Sequence, residues 1–224
     1  MAVAGFIEKG ASVADIGTDH GYLPVYLAQN GLAHSITASD ISTGSLESAR
    51  RSAAAYNVTD KITFVAAPGL QCVDGETTDT VVISGLGGET IAAILKDAPW
   101  TKERGIRLVL QPQSKKNELC VFLRKNGYCI QDAKLAYDNG RFYIAILAKG
   151  GKTDSIQEPE PELLKRLMSR RDPLFTGYMD DIIAKTRRAL SGMKKSSAPD
   201  VADTTARLAL YEGLKEEYTN ADCE

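Results

Sequence analysis

From Val13 to about Lys149, short β-branched runs alternate with longer stretches of helical period, and nothing else in the 224-residue chain narrows its fold as far. This is how parallel strands joined by crossover helices read in sequence. Strands are expected at SVADIG, SITASD, KITFVAA, DTVVISG and RLVLQP, and helices at LPVYLAQNG, SLESARRSAAAYNV, ETIAAILKDA and KNELCVFLRKNG. The Asn-Gly pairs at 30–31 and 126–127 suit helix ends. Two further β-type runs in CIQDAKLAYDNGRFYIAILAKG flank Asp138-Asn139-Gly140, a turn sequence that closes an antiparallel hairpin. The expected class is α/β: five parallel strands ending in an antiparallel pair.

Lys149-Gly150-Gly151 and the polar TDSIQEPEPE offer little to bury, so a first domain over 1–151 and an extension over 152–224 are expected. The extension reads as helices at PELLKRLMSRR, DPLFTGYMDDIIAKTRRALSGM and DVADTTARLALYEGLKEEY, with Leu174, Tyr178, Ile182 and Leu190 at three- or four-residue intervals. The linker KKSSAP carries no apolar stripe, and Pro199 disfavours helix at Ala198. The last two helices should therefore fold back as an antiparallel, coiled-coil-like hairpin.

An apolar content of 43 % is enough for one full core, and a net charge of -2 announces neither nucleic acid nor membrane. Locally, Lys165-Arg166, Arg170-Arg171, Lys185, Arg187-Arg188 and Lys194-Lys195 form a basic region, either an RNA-phosphate stripe or a solvated face. Cys72, Cys120, Cys129 and Cys223 contain no C-x-x-C pair, and only His20 and His34 accompany them, so no metal site and no disulfide framework is expected. Without a leader or a membrane-length apolar run, the expectation is a soluble, cytoplasmic monomer.

The stretch VADIGTDHGYLP carries the chemistry. It occupies the first strand-to-helix turn, where doubly wound sheets bind ligands, but only Gly17 and Gly21 remain of a dinucleotide fingerprint. Asp15 and Asp19 would repel a phosphate. S-adenosylmethionine removes the objection, because it has no phosphate and its sulfonium is positive. Asp40 stands 25 residues after Asp15, where an acid accepts hydrogen bonds from ribose hydroxyls. Taken singly, Asp15 also reads as a helix cap, Asp40 as a turn former and Gly17 as a bend, and His20 and Tyr22 also read as packing residues. Gly85-Leu86-Gly87-Gly88 ends the fourth strand, leaving bare backbone beside a ligand or simply a turn into a helix. The Asn- or Asp-Pro-Pro-aromatic stretch of amino-group methyltransferases is absent there. Gln111-Pro112 supplies an amide to a polar ligand or closes a turn.

Together and in this order, DIGTDHGYLP, SDIS, ISGLGG and LQPQ resemble the bacterial tRNA (adenine22-N1)-methyltransferase family. The resemblance implies a Rossmann-like class I methyltransferase sheet with a C-terminal α-helical hairpin, S-adenosylmethionine as cofactor, tRNA as partner and N1 of adenine 22 as acceptor. It implies a catalytic role for Asp19, which would accept a hydrogen bond from the adenine N6 amine. Asp15, Gly17, Thr18, Asp40, Ile41, Ala67, Gly85 and Leu86 fall on the cofactor side, and His20, Tyr22, Gly87, Gly88, Gln111 and Pro112 on the substrate side. Two departures stand out. Ala67-Pro68-Gly69-Leu70 replaces the family's Gly-Asp-Gly-Leu, whose Asp holds the cofactor's adenine, and the helix usual before the first strand is expected to be missing or shortened. Another RNA or small-molecule acceptor, or binding without turnover, remain the alternatives.

Overall fold

Five parallel strands, β1 (Ala11–Ile16), β2 (Ala33–Asp40), β3 (Thr63–Ala66), β4 (Thr80–Gly87) and β5 (Arg107–Ser114), are extended by the hairpin β6 (Tyr128–Asp138) and β7 (Arg141–Gly150). The structure, a computed structural model, describes residues 2–151, 159–196 and 201–220. The sheet order is β3-β2-β1-β4-β5-β7-β6, with β7 antiparallel to both β5 and β6. Asn139 and Gly140, both at positive φ, close the hairpin as its sequence anticipated.

The connecting helices are α1 (Tyr22–Gln29), α2 (Thr43–Ala55), α3 (Gly88–Lys96), α4 (Trp100–Glu103) and α5 (Lys116–Lys125). The short α4 was not anticipated, and Pro99 at its N-cap fixes the φ that starts it. Ser42 caps α2 by accepting the Ser45 N–H at 3.2 Å. The chain builds outward from β1 to β3 and then returns to β4 on the other flank of β1. Right-handed crossovers then put α1 and α2 on one face of the sheet and α3 and α5 on the other.

Strand alternation assigns one row of side chains to each face. On one face Val13, Ile36, Ala38, Val82, Val109, Ala145 and Leu147 share an apolar layer with Val25, Leu27 and Ala28 of α1, Ala53 of α2 and Phe6. Leu27 is wholly enclosed, and burying such a side chain is worth about 1.5–3 kcal/mol.

The chain separates into two compact units, residues 1–166 and 167–224, rather than dividing at 151. The start of α6 (Pro159–Ser169) belongs to the first unit, where Lys116 pairs with Glu160, Arg124 pairs with Glu162, and Leu163 and Leu164 are buried. In the second unit Arg171, at positive φ, ends α6, and the Asp172 carboxylate accepts the Leu174 N–H to start α7 (Phe175–Ser196). Along α7 and α8 (Val201–Asn220), Thr204 meets Met193, Arg187 meets Glu212 and Lys215 meets Asp180, so the two helices run antiparallel. Of the basic region, Arg166, Lys185 and Arg187 have carboxylate partners at Glu162, Asp181 and Glu212. The side chains of Lys194 and Lys195, the linker at 197–200 with Pro199, the 152–158 part of the expected boundary and Cys223 lie outside the described residues. No helix among the described residues is long and apolar enough to cross a membrane.

The fold places one strict demand on the GLGG stretch. A Cβ on Gly88 would lie 2.3 Å from the Lys115 carbonyl oxygen, a backbone atom that cannot swing aside. One on Gly87 would meet two side-chain hydroxyls, Ser114 Oγ at 3.4 Å and Thr90 Oγ1 at 3.7 Å. Gly88→Ala should therefore destabilise the protein by about 2 kcal/mol or more and Gly87→Ala by clearly less, read from urea midpoints.

Candidate active site at the carboxyl edge of the sheet

The core-facing rows continue past the apolar layer to the carboxyl edge. Alternation carries β1 from Val13 to Asp15, β2 from Ala38 to Asp40, β4 from Val82 to Ser84, and β5 from Val109 to Gln111 and Gln113. On antiparallel β7 the same row runs back from Leu147 and Ala145 to Tyr143. The polar ends of these rows line a cavity of about 900 Å³. It opens where strand order reverses between β1 and β4.

The loop after β1 folds tightly over this edge. Gly17 N and Thr18 N both donate to the Ser39 carbonyl, at 2.8 and 3.0 Å, and Gly21 N donates to the Thr18 carbonyl at 2.8 Å. Gly17, Asp19 and Gly21 all take positive φ, a region that Asp tolerates better than most side chains do. The Asp40 carboxylate fastens the loop: Oδ2 accepts the Asp19 N–H at 3.2 Å and Oδ1 accepts the Ser42 N–H at 2.9 Å. Each oxygen has a further lone pair for a ligand hydroxyl.

Asp15 is buried, 4 % exposed, at the end of an apolar row. Burial pushes its carboxyl up to about 6, the Thr18 side chain opposes the shift, and the Asp40 charge adds to it. Thr18 Oγ1 is itself buried and lacks a hydrogen-bond partner of good geometry. At the rim, Asp19 is exposed, with His20 Nε2 3.7 Å from its Oδ2. The His20 and Tyr22 rings stack at 5.5 Å and 19°, and Tyr22 and Ile41 are 70 % and 77 % exposed. Among the described residues no Lys or Arg lines the cavity, against three Asp residues.

Most of the expected site residues converge here: Asp15, Gly17, Thr18, Asp19, His20, Tyr22, Asp40, Ile41, Ala67, Gly85, Leu86 and Gln111 all line the cavity. Gly87, Gly88 and Pro112 do not. Gly88 is required by backbone packing, and Pro112 is buried one step out of phase with the lining row of β5. The Gln111 amide is engaged at both ends, accepting the Gly85 N–H and donating to the Pro112 carbonyl, each at 3.1 Å. It thereby caps a bulge where the β4–β5 register shifts around Gly85. Pro68 faces a smaller cavity with Ala98 and Trp100, so the main wall presents Ala67, Gly69, Thr90 and Ile94 where the family motif would place a carboxylate. Sequence reading passed over Ser84, Gln113 and Tyr143. Counting by twos from Val82 and Val109 reaches the first two, whereas Tyr143 follows only once β7 is known to pair with β5.

The comparisons agree with this geometry. Residues 1–146 match the family described as Methyltransferase domain. The tRNA (adenine(22)-N(1))-methyltransferase of Bacillus subtilis (strain 168) is 34 % identical over 158 residues, 69 % of this chain and 65 % of that protein, so the alignment spans just under two thirds of the relative's length. The crystal structure of the B. subtilis M1A22 tRNA methyltransferase TrmK superposes with a TM-score of 0.79 at 26 % identity, covering 95 % of each chain. The M. capricolum TrmK complex with S-adenosyl-homocysteine gives 0.76 at 25 % identity, covering 96 % of this chain and 95 % of that one. Since the matched stretch is most of the chain and contains every residue that lines the cavity, the chain belongs to the methyltransferase-domain family.

Proposed function

We propose that the protein methylates N1 of adenine 22 in tRNA, using S-adenosylmethionine. The observation that carries this reading is the charge of the cavity: among the described residues it is lined by three carboxylates, one of them buried, and by neither Lys nor Arg. Such a lining suits a cationic nucleoside and disfavours a phosphate. The volume of about 900 Å³ leaves room for a cofactor with the target base beside it. The relatives named for adenine-22 methylation supply the acceptor.

When bound, S-adenosylmethionine supplies an electrophilic methyl group on a positively charged sulfur. Asp40 would hold the ribose hydroxyls with its remaining lone pairs, and Asp15 would face positive charge across the bare backbone of Gly17. The Thr18 hydroxyl, buried beside Asp15, offers a further polar contact, and Ala67, Gly85, Leu86 and the exposed Ile41 provide backbone and apolar surface. Adenine N1 has a lone pair, so no base is needed to free it, but methylation leaves positive charge on the ring. Asp19, exposed at the rim, accepts a hydrogen bond from the N6 amine and stabilises that charge. The stacked His20 and Tyr22 rings give a surface for a base swung out of folded RNA.

Labelled methyl transfer to unmodified total tRNA, followed by nucleoside analysis, should yield 1-methyladenosine that vanishes when position 22 is changed. A different methylated product, or cofactor binding without transfer, would overturn the proposal. Asp19→Ala should lower kcat by about 10²–10³ with cofactor affinity nearly unchanged, as loss of one transition-state partner does.

The raised carboxyl of Asp15 gives a second test. The folded state holds this proton more tightly than the unfolded chain, so ligand-free stability falls as pH rises from about 4 to about 6 and stays lower above. The loss amounts to about 2–3 kcal/mol at neutral pH, which Asp15→Asn should largely restore in urea unfolding at pH 7.5. A cation bound beside Asp15 favours its ionised form. Calorimetry should therefore find wild-type cofactor affinity falling as pH drops below about 6, whereas Asp15→Asn binds more weakly and without that dependence.

A further inference from the structure

Gln113 carries an amide that the fold leaves unused. Gln111, on the same row of β5, is held by the backbone at both ends. Gln113 lies two residues on, lines the cavity, is exposed, and makes no side-chain hydrogen bond among the described residues. Tyr143 of β7, the strand paired with β5, lines the same cavity. A free donor and a free acceptor on β5 and an aromatic residue on β7 therefore face one space.

The β1 row that leads to the Asp19 loop is two strands from β5, with β4 between them. At about 4.8 Å per strand, the two backbones are roughly 10 Å apart, which lets side chains from both strands converge on one exocyclic amine. If N1 is the reacting atom, the N1 side of the base must face the methyl donor. The N6 amine has two hydrogens, one beside N1 and one beside N7. Asp19 takes the first under the function proposed above, so the second hydrogen and the N7 lone pair face elsewhere.

We infer that Gln113 reads this second edge, with Oε1 accepting from N6 and Nε2 donating to N7, and so selects adenine at the reacting position. A glutamine amide matches the N6/N7 pair in both donor and acceptor. Guanine presents O6 and N7, two acceptors, and would set its O6 against the amide oxygen. The inference rests on the N1 reading, since it assigns Gln113 the edge that N1 chemistry leaves free.

The test compares wild type, Gln113→Ala and Gln113→Glu on tRNA transcripts carrying adenosine or 7-deazaadenosine at position 22, reading kcat and KM for each. Replacing N7 changes the basicity of N1 equally for every enzyme, so the informative quantity is the adenosine/7-deazaadenosine ratio of kcat/KM, compared between enzymes. That ratio should be about twofold to tenfold higher for wild type than for Gln113→Ala, the worth of the one hydrogen bond to N7 that the 7-deaza base lacks. Gln113→Glu keeps the acceptor but sets a carboxylate against N7, so its ratio should fall below that of Gln113→Ala. Cofactor affinity should be the same in all three. Equal ratios in wild type and Gln113→Ala would overturn the inference while leaving the N1 proposal standing. Failure of wild type to form 1-methyladenosine on the adenosine transcript would overturn both.

Discussion

The site depends on one constraint, strand alternation carried past the end of a hydrophobic layer. A residue two positions beyond Val13 must face the same side of the sheet, whatever its polarity, so Asp15 is delivered to the edge of the core. The same step delivers Asp40, Ser84, Gln111 and Gln113 from their own strands. Where helices cover the sheet these rows are apolar, and where the strand order reverses and cover ends they turn polar. Core and cavity are thus one surface, and the packing of Val13, Ala38, Val82 and Val109 fixes the spacing of the polar groups beyond them.

Electrostatics then decides what can occupy that surface. An ionised carboxylate buried beside a second one is costly, as the upward shift of Asp15 records. A phosphate would add a third negative charge in a poorly screened place, whereas a cation relieves the two already there. A cation that binds beside Asp15 stabilises the folded chain, so ligand binding offsets the cost of folding around this carboxylate. The basic residues of the C-terminal helices tell a complementary story. Lys185, Arg187 and Arg166 are partnered by acids, so charge that looks like an RNA stripe in sequence is partly used within single helices and, at Arg187–Glu212, between α7 and α8.

The sheet and the loop after β1 were legible because both rest on local rules. Period, turn residues and a pair of carboxylates spaced for a strand-end site are visible without knowing any partner strand. What was not legible required contacts between distant segments. Gly88 reads as ligand-facing backbone until the Lys115 carbonyl is seen to occupy the space of its Cβ. Pro112 reads as part of a motif until the phase of β5 shows it pointing away, and Gln111 reads as a ligand group until the bulge at Gly85 claims its amide. The division at 166 was missed because a polar stretch looks like a boundary, while the Lys116–Glu160 and Arg124–Glu162 pairs carry the chain back to the first unit.

Asp40 links the two halves of the proposed chemistry. The carboxylate placed to hold a ribose also accepts the backbone N–H of Asp19, the residue assigned to the target base. Asp19 sits at positive φ, a conformation less favourable for aspartate than for glycine, and its surroundings hold it there. That hydrogen bond and the paired donations of Gly17 and Thr18 to Ser39 are the enforcement. A ligand that draws on Asp40 therefore acts on the loop that presents Asp19, so occupancy of one subsite and geometry of the other are physically coupled. A glycine in place of Asp19 would adopt the turn more easily, and a phosphate loop would use one there. The proposed chemistry gives the carboxylate at this turn a use that glycine could not serve, its charge at the rim.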